Sequence, residues 1–123
     1  MAFCTQARAS ESQKLAWQAS LPGPLAQPNN ASLLHGRLGF ARTVAAYDVA
    51  LGCSGWVYGL QQAALLCAHG GARSVLLCAG DTLSRSTNPR DRATNPLFGD
   101  AGSATLVVRD PAAGPWYFVL GAD

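Results

Sequence analysis

Charge of either sign is scarce in this chain. Only 13% of its 123 residues are charged, and nine basic residues against seven acidic ones leave a net charge of +2. That balance is too weak for a nucleic-acid binder, and no basic run alternates with aromatic residues. No apolar run approaches the ~18 residues that a membrane span needs. The first residues also lack the basic stretch and apolar stretch of a secretory leader. A soluble, cytoplasmic protein is therefore expected, with neither nucleic acid nor membrane as partner. Cysteine is sparse as well: Cys4, Cys53, Cys67 and Cys78 show no CxxC spacing, and the two histidines, His35 and His69, are far apart. No metal site of the common thiolate and imidazole kind is expected. Three of the four cysteines sit in apolar runs, which favours free thiols over disulfides. Internal repeats and low-complexity tracts are absent, and 123 residues suffice for one modest core.

What the chain does have is an ordered alternation of strand-like and helix-like segments. Asn29 and Asn30 offer an N-cap for a helix through about Leu38, closed by Gly39. A strand follows from Val44 to Leu51. From Ser54 to His69 the sequence is apolar nearly all round, with Gln61 and Gln62 its strongly polar residues before His69, and such a helix is a buried one. Gly70 and Gly71 end it. Ser74–Ala79, Ala101–Val108 and Trp116–Leu120 read as further strands, with Pro111–Pro115 a turn between the last two. Before them, Phe3–Gln6 reads as the end of a strand, and 7–27 as a polar, proline-spotted stretch whose Ser10–Trp17 could form a short helix. Strands alternating with helices imply an α/β fold, a mixed or parallel sheet with helices on its faces.

The chemistry concentrates in Tyr47-Asp48-Val49-Ala50-Leu51-Gly52-Cys53-Ser54-Gly55-Trp56, where a strand ends on a cysteine between glycines and a helix begins. A cysteine at such a junction sits at the positive end of the helix dipole, which favours thiolate over thiol in general. The glycines allow a sharp turn and close approach of a substrate. Read alone, the pattern also fits a small buried core residue. Further on come Ala79-Gly80-Asp81-Thr82-Leu83-Ser84-Arg85, Asn88-Pro89-Arg90-Asp91-Arg92-Ala93-Thr94 and Leu97-Phe98-Gly99-Asp100-Ala101-Gly102-Ser103-Ala104.

In this order and spacing the segments resemble the N-terminal half of a β-ketoacyl-acyl-carrier-protein synthase III, of the thiolase superfamily, from about Pro28 to Val108. The resemblance implies a partial thiolase-like fold, with Cys53 as the nucleophile that takes an acyl group from acyl-CoA. Malonyl-acyl carrier protein would then be the condensation partner, with no permanently bound cofactor, in a homodimer. It also implies that 1–123 is an incomplete N-terminal domain, that the C-terminal half with its catalytic histidine and asparagine is absent, and that 7–27 is an inserted or altered loop. Such a chain carries the acylation half of the machinery and leaves an apolar face open.

Arg92, 39 positions after Cys53, falls where the family places an arginine that contacts the adenine end of coenzyme A. Its other reading is an exposed loop arginine pairing with Asp91. Phe98-Gly99-Asp100 is expected to close a tight turn, with Phe98 lining the substrate channel and Asp100 holding the loop by side-chain-to-backbone hydrogen bonds. Two departures stand out. Ala101-Gly102-Ser103-Ala104 replaces a Gly-Ala-Gly-Ala pattern, which bears on loop flexibility, and Gln27 replaces an aromatic that in many relatives reaches into the partner's acyl pocket. His35 and His69 occupy no position the family uses and read as structural. Two other functions fit the same residues: cysteine-dependent acyl transfer to an alcohol, amine or metabolite, and a non-catalytic fragment or subunit.

Overall fold

An apolar run without alternation has to be covered on both faces, and Ser74-Val75-Leu76-Leu77-Cys78 is such a run. In the computed structural model, which describes the backbone of residues 13–19 and the whole of residues 29–121, this run is the centre of the sheet. The strands are β1 (Gln13–Ala19), β2 (Ala45–Ala50), β3 (Ser74–Thr82) and β4 (Asp100–Val108). The helices are α1 (Asn30–Arg37) and α2 (Gly55–Ala68). The order across the sheet is β2-β1-β3-β4, with β1 parallel to both neighbours and β4 antiparallel to β3.

Successive side chains of β3 feed two separate cores. Val75 and Leu77, both fully buried, pack with Ala63 and Cys67 of α2, with Ala72 and with Val107. Leu76 and Cys78 point the other way, toward Val44, Ala46, Leu34 of α1 and Phe40. The two helices therefore cover opposite faces of the sheet. Crossover handedness requires this, because the chain moves one way along the sheet from β1 to β2 and the other way from β2 to β3.

Helix α1 starts where the asparagines predict: Asn29 Oδ1 accepts the Ser32 N–H at 3.0 Å. Gly39, with φ +66°, lets the chain leave. A second anchor at this end comes from β2. The Asp48 carboxylate accepts the N–H of Asn30 at 2.9 Å and of Ala31 at 2.7 Å, so it satisfies two amides that the helix cannot. Ala31 is fully buried, so water cannot replace those bonds there.

Helix α2 buries a stripe of small residues, Gly55, Gly59, Ala63 and Cys67, spaced four apart. Close approach is the reason for their size: a Cβ on Gly59 would lie 2.8 Å from Leu77 Cδ1. Trp56, Val57 and Leu65 lie exposed on α2, so the apolar helix is covered on one side and open on the other in this chain.

Several expectations are corrected by the structure. Residues 13–19, read as part of a loop or short helix within 7–27, are β1, the strand held between β2 and β3. Strand pairing on both sides outweighs a weak local periodicity there. Trp116–Leu120 forms no strand: among the described residues no ladder joins it to the open side of the edge strand β4 after the turn at 110–113. Ala101–Val108 is a strand as read from the sequence, so its Ala101–Ala104 segment lies at the start of β4, paired with Cys78–Asp81, and not in a loop. The expected strand at Phe3–Gln6, Cys4 and Gln27 all lie outside the described residues.

Replacing Asp48 by alanine should leave two helix-start amides unsatisfied and cost about 1–3 kcal/mol. Urea unfolding of the full-length protein, wild type against Asp48→Ala, measures this. A difference under ~0.5 kcal/mol would contradict the role given to Asp48.

Candidate functional site

Parallel strands put their carboxyl ends on one edge of the sheet, and ligands of α/β folds bind outside that edge where crossovers diverge. Here β1, β2 and β3 all end on that edge, and β4 begins there, since Thr82 pairs with Asp100. The turn after β2 carries Cys53. The connection from β3 to β4 carries Arg85, Arg90, Arg92 and Phe98. β2 and β3 are separated by one strand, so the two loops rise from points about 10 Å apart.

Cys53 lies between the end of β2 and the first residue of α2, as the sequence reading placed it. The turn is closed by the Gly55 N–H donating to the Gly52 carbonyl at 2.8 Å. Neither glycine uses left-handed backbone; among the described residues only Gly39 and Gly71 do. A Cβ on Gly52 would meet nothing within 4 Å, so this side of the turn is not packed against the rest of the fold. Cys53 is exposed, while Cys67 and Cys78 are buried. Burial pushes both of those thiols up from their ordinary pKa, with Arg109 partly opposing it at Cys67. Among the described cysteines, Cys53 alone is placed to react with a solute.

The β3–β4 connection is braced from within. Asp100 accepts the Ser84 N–H at 2.8 Å and the Ser84 hydroxyl at 2.6 Å, which ties the two ends of the connection together. This is the loop-holding role read from the sequence. These bonds hold the Asp100 carboxyl below its ordinary value, with a smaller contribution from Arg85. Asp91 accepts from the N–H of Ala93 at 3.0 Å and of Thr94 at 3.2 Å. Its carboxylate is thus turned into its own loop, and its pKa is lowered by hydrogen bonds from Thr94 and Ala93.

Arg92 is exposed in this loop, and the structure brings it to the same edge as Cys53. Phe98 is also exposed there, but its backbone is extended, φ −117° and ψ 139°, so it does not close a turn as expected. The tight turn comes earlier, where Leu97 N–H donates to Thr94 at 3.0 Å.

The histidines stand apart from this site. His35 bonds to the Ala41 carbonyl at 3.0 Å through Nε2 and packs its ring on Phe40, a structural role. His69 caps the far end of the 14-residue α2, about 20 Å along the axis from its start. A cleft of about 380 Å³ lies at that far end, lined by Leu65, His69, Val107, Arg109, Trp116 and Phe118 among others, away from Cys53. Asp48 is the residue that sequence reading passed over. Its only signal was a lone carboxylate in an otherwise apolar strand.

Residues 47–123 match the family model for 3-oxoacyl-[acyl-carrier-protein] synthase III. The chain belongs to this family. It is similar to the β-ketoacyl-[acyl-carrier-protein] synthase III of Roseiflexus castenholzii, 48% identical over 84 residues, covering 68% of this chain and 26% of that protein. It is also similar to synthase III 1 of Deinococcus radiodurans, 41% identical over 97 residues, covering 78% of this chain and 28% of that one. Among solved structures, the Thermus thermophilus synthase III superposes with TM-score 0.81 at 37% identity, covering 92% of this chain and 35% of that chain. The thiolase-like fold of the synthase III family is therefore present in part, and the chain spans about a quarter to a third of these relatives.

Two outcomes follow. Brief exposure of the folded protein to iodoacetamide should label Cys53 well before Cys67 and Cys78, as peptide mass spectrometry would report; comparable labelling of all three would contradict the burial pattern. Because the folded Asp100 pKa is lowered, its contribution to loop stability is complete above the ordinary value of 3.8 and is lost as pH falls through the folded value. The Ser84 amide resonance should therefore titrate with a midpoint below 3.8, and Asp100→Asn should remove that titration.

Proposed function

We propose that this chain supplies the acyl-accepting part of a synthase III active site. In this reading Cys53 takes an acyl group from acyl-coenzyme A, and the acyl group is then condensed with malonyl-acyl carrier protein. The observation that carries it is the position of Cys53: an exposed thiol at the start of α2, on the sheet edge it shares with the arginine-bearing β3–β4 connection.

The chemistry follows from that position. The Cys53 thiolate attacks the thioester carbonyl, a new carbon–sulfur bond forms, and the carbonyl oxygen takes the displaced electron pair. The dipole at the start of α2 favours the negative charge that develops on the carbonyl oxygen, and the Cys53 N–H is one donor for that oxyanion. Collapse expels the coenzyme A thiolate, which takes up the proton that the Cys53 thiol gave up. Arg92 engages the nucleotide end of the donor, where a guanidinium can stack on a base and bind phosphate together. Phe98 lines the path of the acyl-bearing arm. Decarboxylation of malonyl and the condensation itself need the histidine and asparagine that the family supplies from its second half. The working form is a cytoplasmic homodimer with no permanently bound cofactor.

Intact-mass and peptide analysis of the full-length protein after brief exposure to a short acyl-coenzyme A should show one acyl group, on Cys53. Undiminished acylation of Cys53→Ala would end this reading. In the same assay, Arg92→Ala should weaken use of the coenzyme A thioester by about 1–3 kcal/mol, far more than use of a thioester lacking the nucleotide. Equal losses with both donors would make Arg92 structural.

A further inference from the structure

The connection between β3 and β4 concentrates positive charge in a chain that has little. Residues 83–99 hold three arginines, Arg85, Arg90 and Arg92, against one acidic residue, Asp91, so this stretch carries as much net charge as the whole chain, +2. All three arginines are exposed. Asp91 accepts from the amides of Ala93 and Thr94, and Asp100 accepts from Ser84 and is also felt by the charge of Arg85.

Arg90 sits where this loop is most tightly closed. Its own N–H donates to Asn88 Oδ1 at 3.0 Å, the Asp91 N–H donates to the Asn88 carbonyl at 2.9 Å, and the Asn95 N–H donates to the Asp91 carbonyl at 3.0 Å. A cation presented on a backbone closed on both sides loses little freedom when it meets an anion. Arg90 and Arg92 are two residues apart on this frame, at the carboxyl edge that also carries Cys53.

We propose that Arg90 is a second phosphate-contacting residue of the acyl-donor site, acting beside Arg92 to select thioesters whose carrier bears phosphate. The proposal rests on the reading of Cys53 and Arg92 given above. Coenzyme A carries a pyrophosphate and a separate 3′-phosphate, and one guanidinium engages one such group through its fork of N–H donors. A second guanidinium on the same braced turn allows the second group to be held. The pair then favours a nucleotide-bearing donor over the same acyl group on a phosphate-free carrier.

The test uses the full-length protein and three donors: acetyl-coenzyme A, its 3′-dephospho form and acetyl-pantetheine. Acylation of Cys53 is followed by quenched mass spectrometry. With Arg90→Ala, the preference for acetyl-coenzyme A over acetyl-pantetheine should fall about tenfold, and its dependence on salt should flatten; Arg90→Lys should restore part of both. Loss against the 3′-dephospho donor as well would assign Arg90 to the pyrophosphate, and no loss there would assign it to the 3′-phosphate. A preference unchanged in Arg90→Ala overturns the proposal. If the wild-type protein fails to acylate at Cys53, the functional reading falls instead. Calorimetric binding of coenzyme A then decides the Arg90 claim by itself: lower affinity in Arg90→Ala supports it, and equal affinity overturns it.

Discussion

Everything in this structure depends on a constraint of handedness. Parallel crossovers turn one way only, so a chain that steps from β1 outward to β2 and then back across to β3 has to place α1 and α2 on opposite faces. That arrangement makes β3 a strand buried on both sides and gives its apolar run two cores to fill. It also sends the ends of β1, β2 and β3 to one edge, which is how Cys53 and a loop some thirty to forty-five residues later come to share a location.

Carboxylates are few, and the described ones that matter most are used on backbone amides rather than on arginines. Asp48 closes the start of α1, Asp100 joins the ends of the β3–β4 connection, and Asp91 closes the turn that contains Arg92. Each replaces water at an amide with a fixed acceptor of opposite sign, a stronger bond than a neutral one. The consequence is that the β3–β4 connection is braced on its own backbone, with Arg90 and Arg92 exposed on it.

The opposite side of α2 has a different character. Trp56, Val57 and Leu65 lie exposed, and beyond the turn at 110–113 so do Trp116, Tyr117 and Val119. Tyr58 of α2 holds the Gly121 carbonyl at 3.2 Å, so the last described residues run along the helix rather than away from it. An apolar surface of this extent is of the kind that other structure covers in a larger fold. The relatives are three to four times as long as the matched stretch.

Local chemistry made much of this legible before any coordinates. The cap at Asn29, the stop at Gly39, the strand before Cys53, the helix after it and the ends of β4 all follow from patterns within one segment. The place of Cys53 at a strand-to-helix junction was readable for the same reason. What the sequence could not decide depends on partners far along the chain. Residues 13–19 have little strand character of their own and are a strand because β2 and β3 flank them; Trp116–Leu120 has the composition of a strand and is none, because no described neighbour pairs with it. Asp48 binds amides 17 and 18 residues away, and Phe98 is extended because the turn closes before it. Backbone propensity acts over a few residues, whereas pairing and anchoring act across the fold, and only the tertiary structure brings those groups within bonding distance.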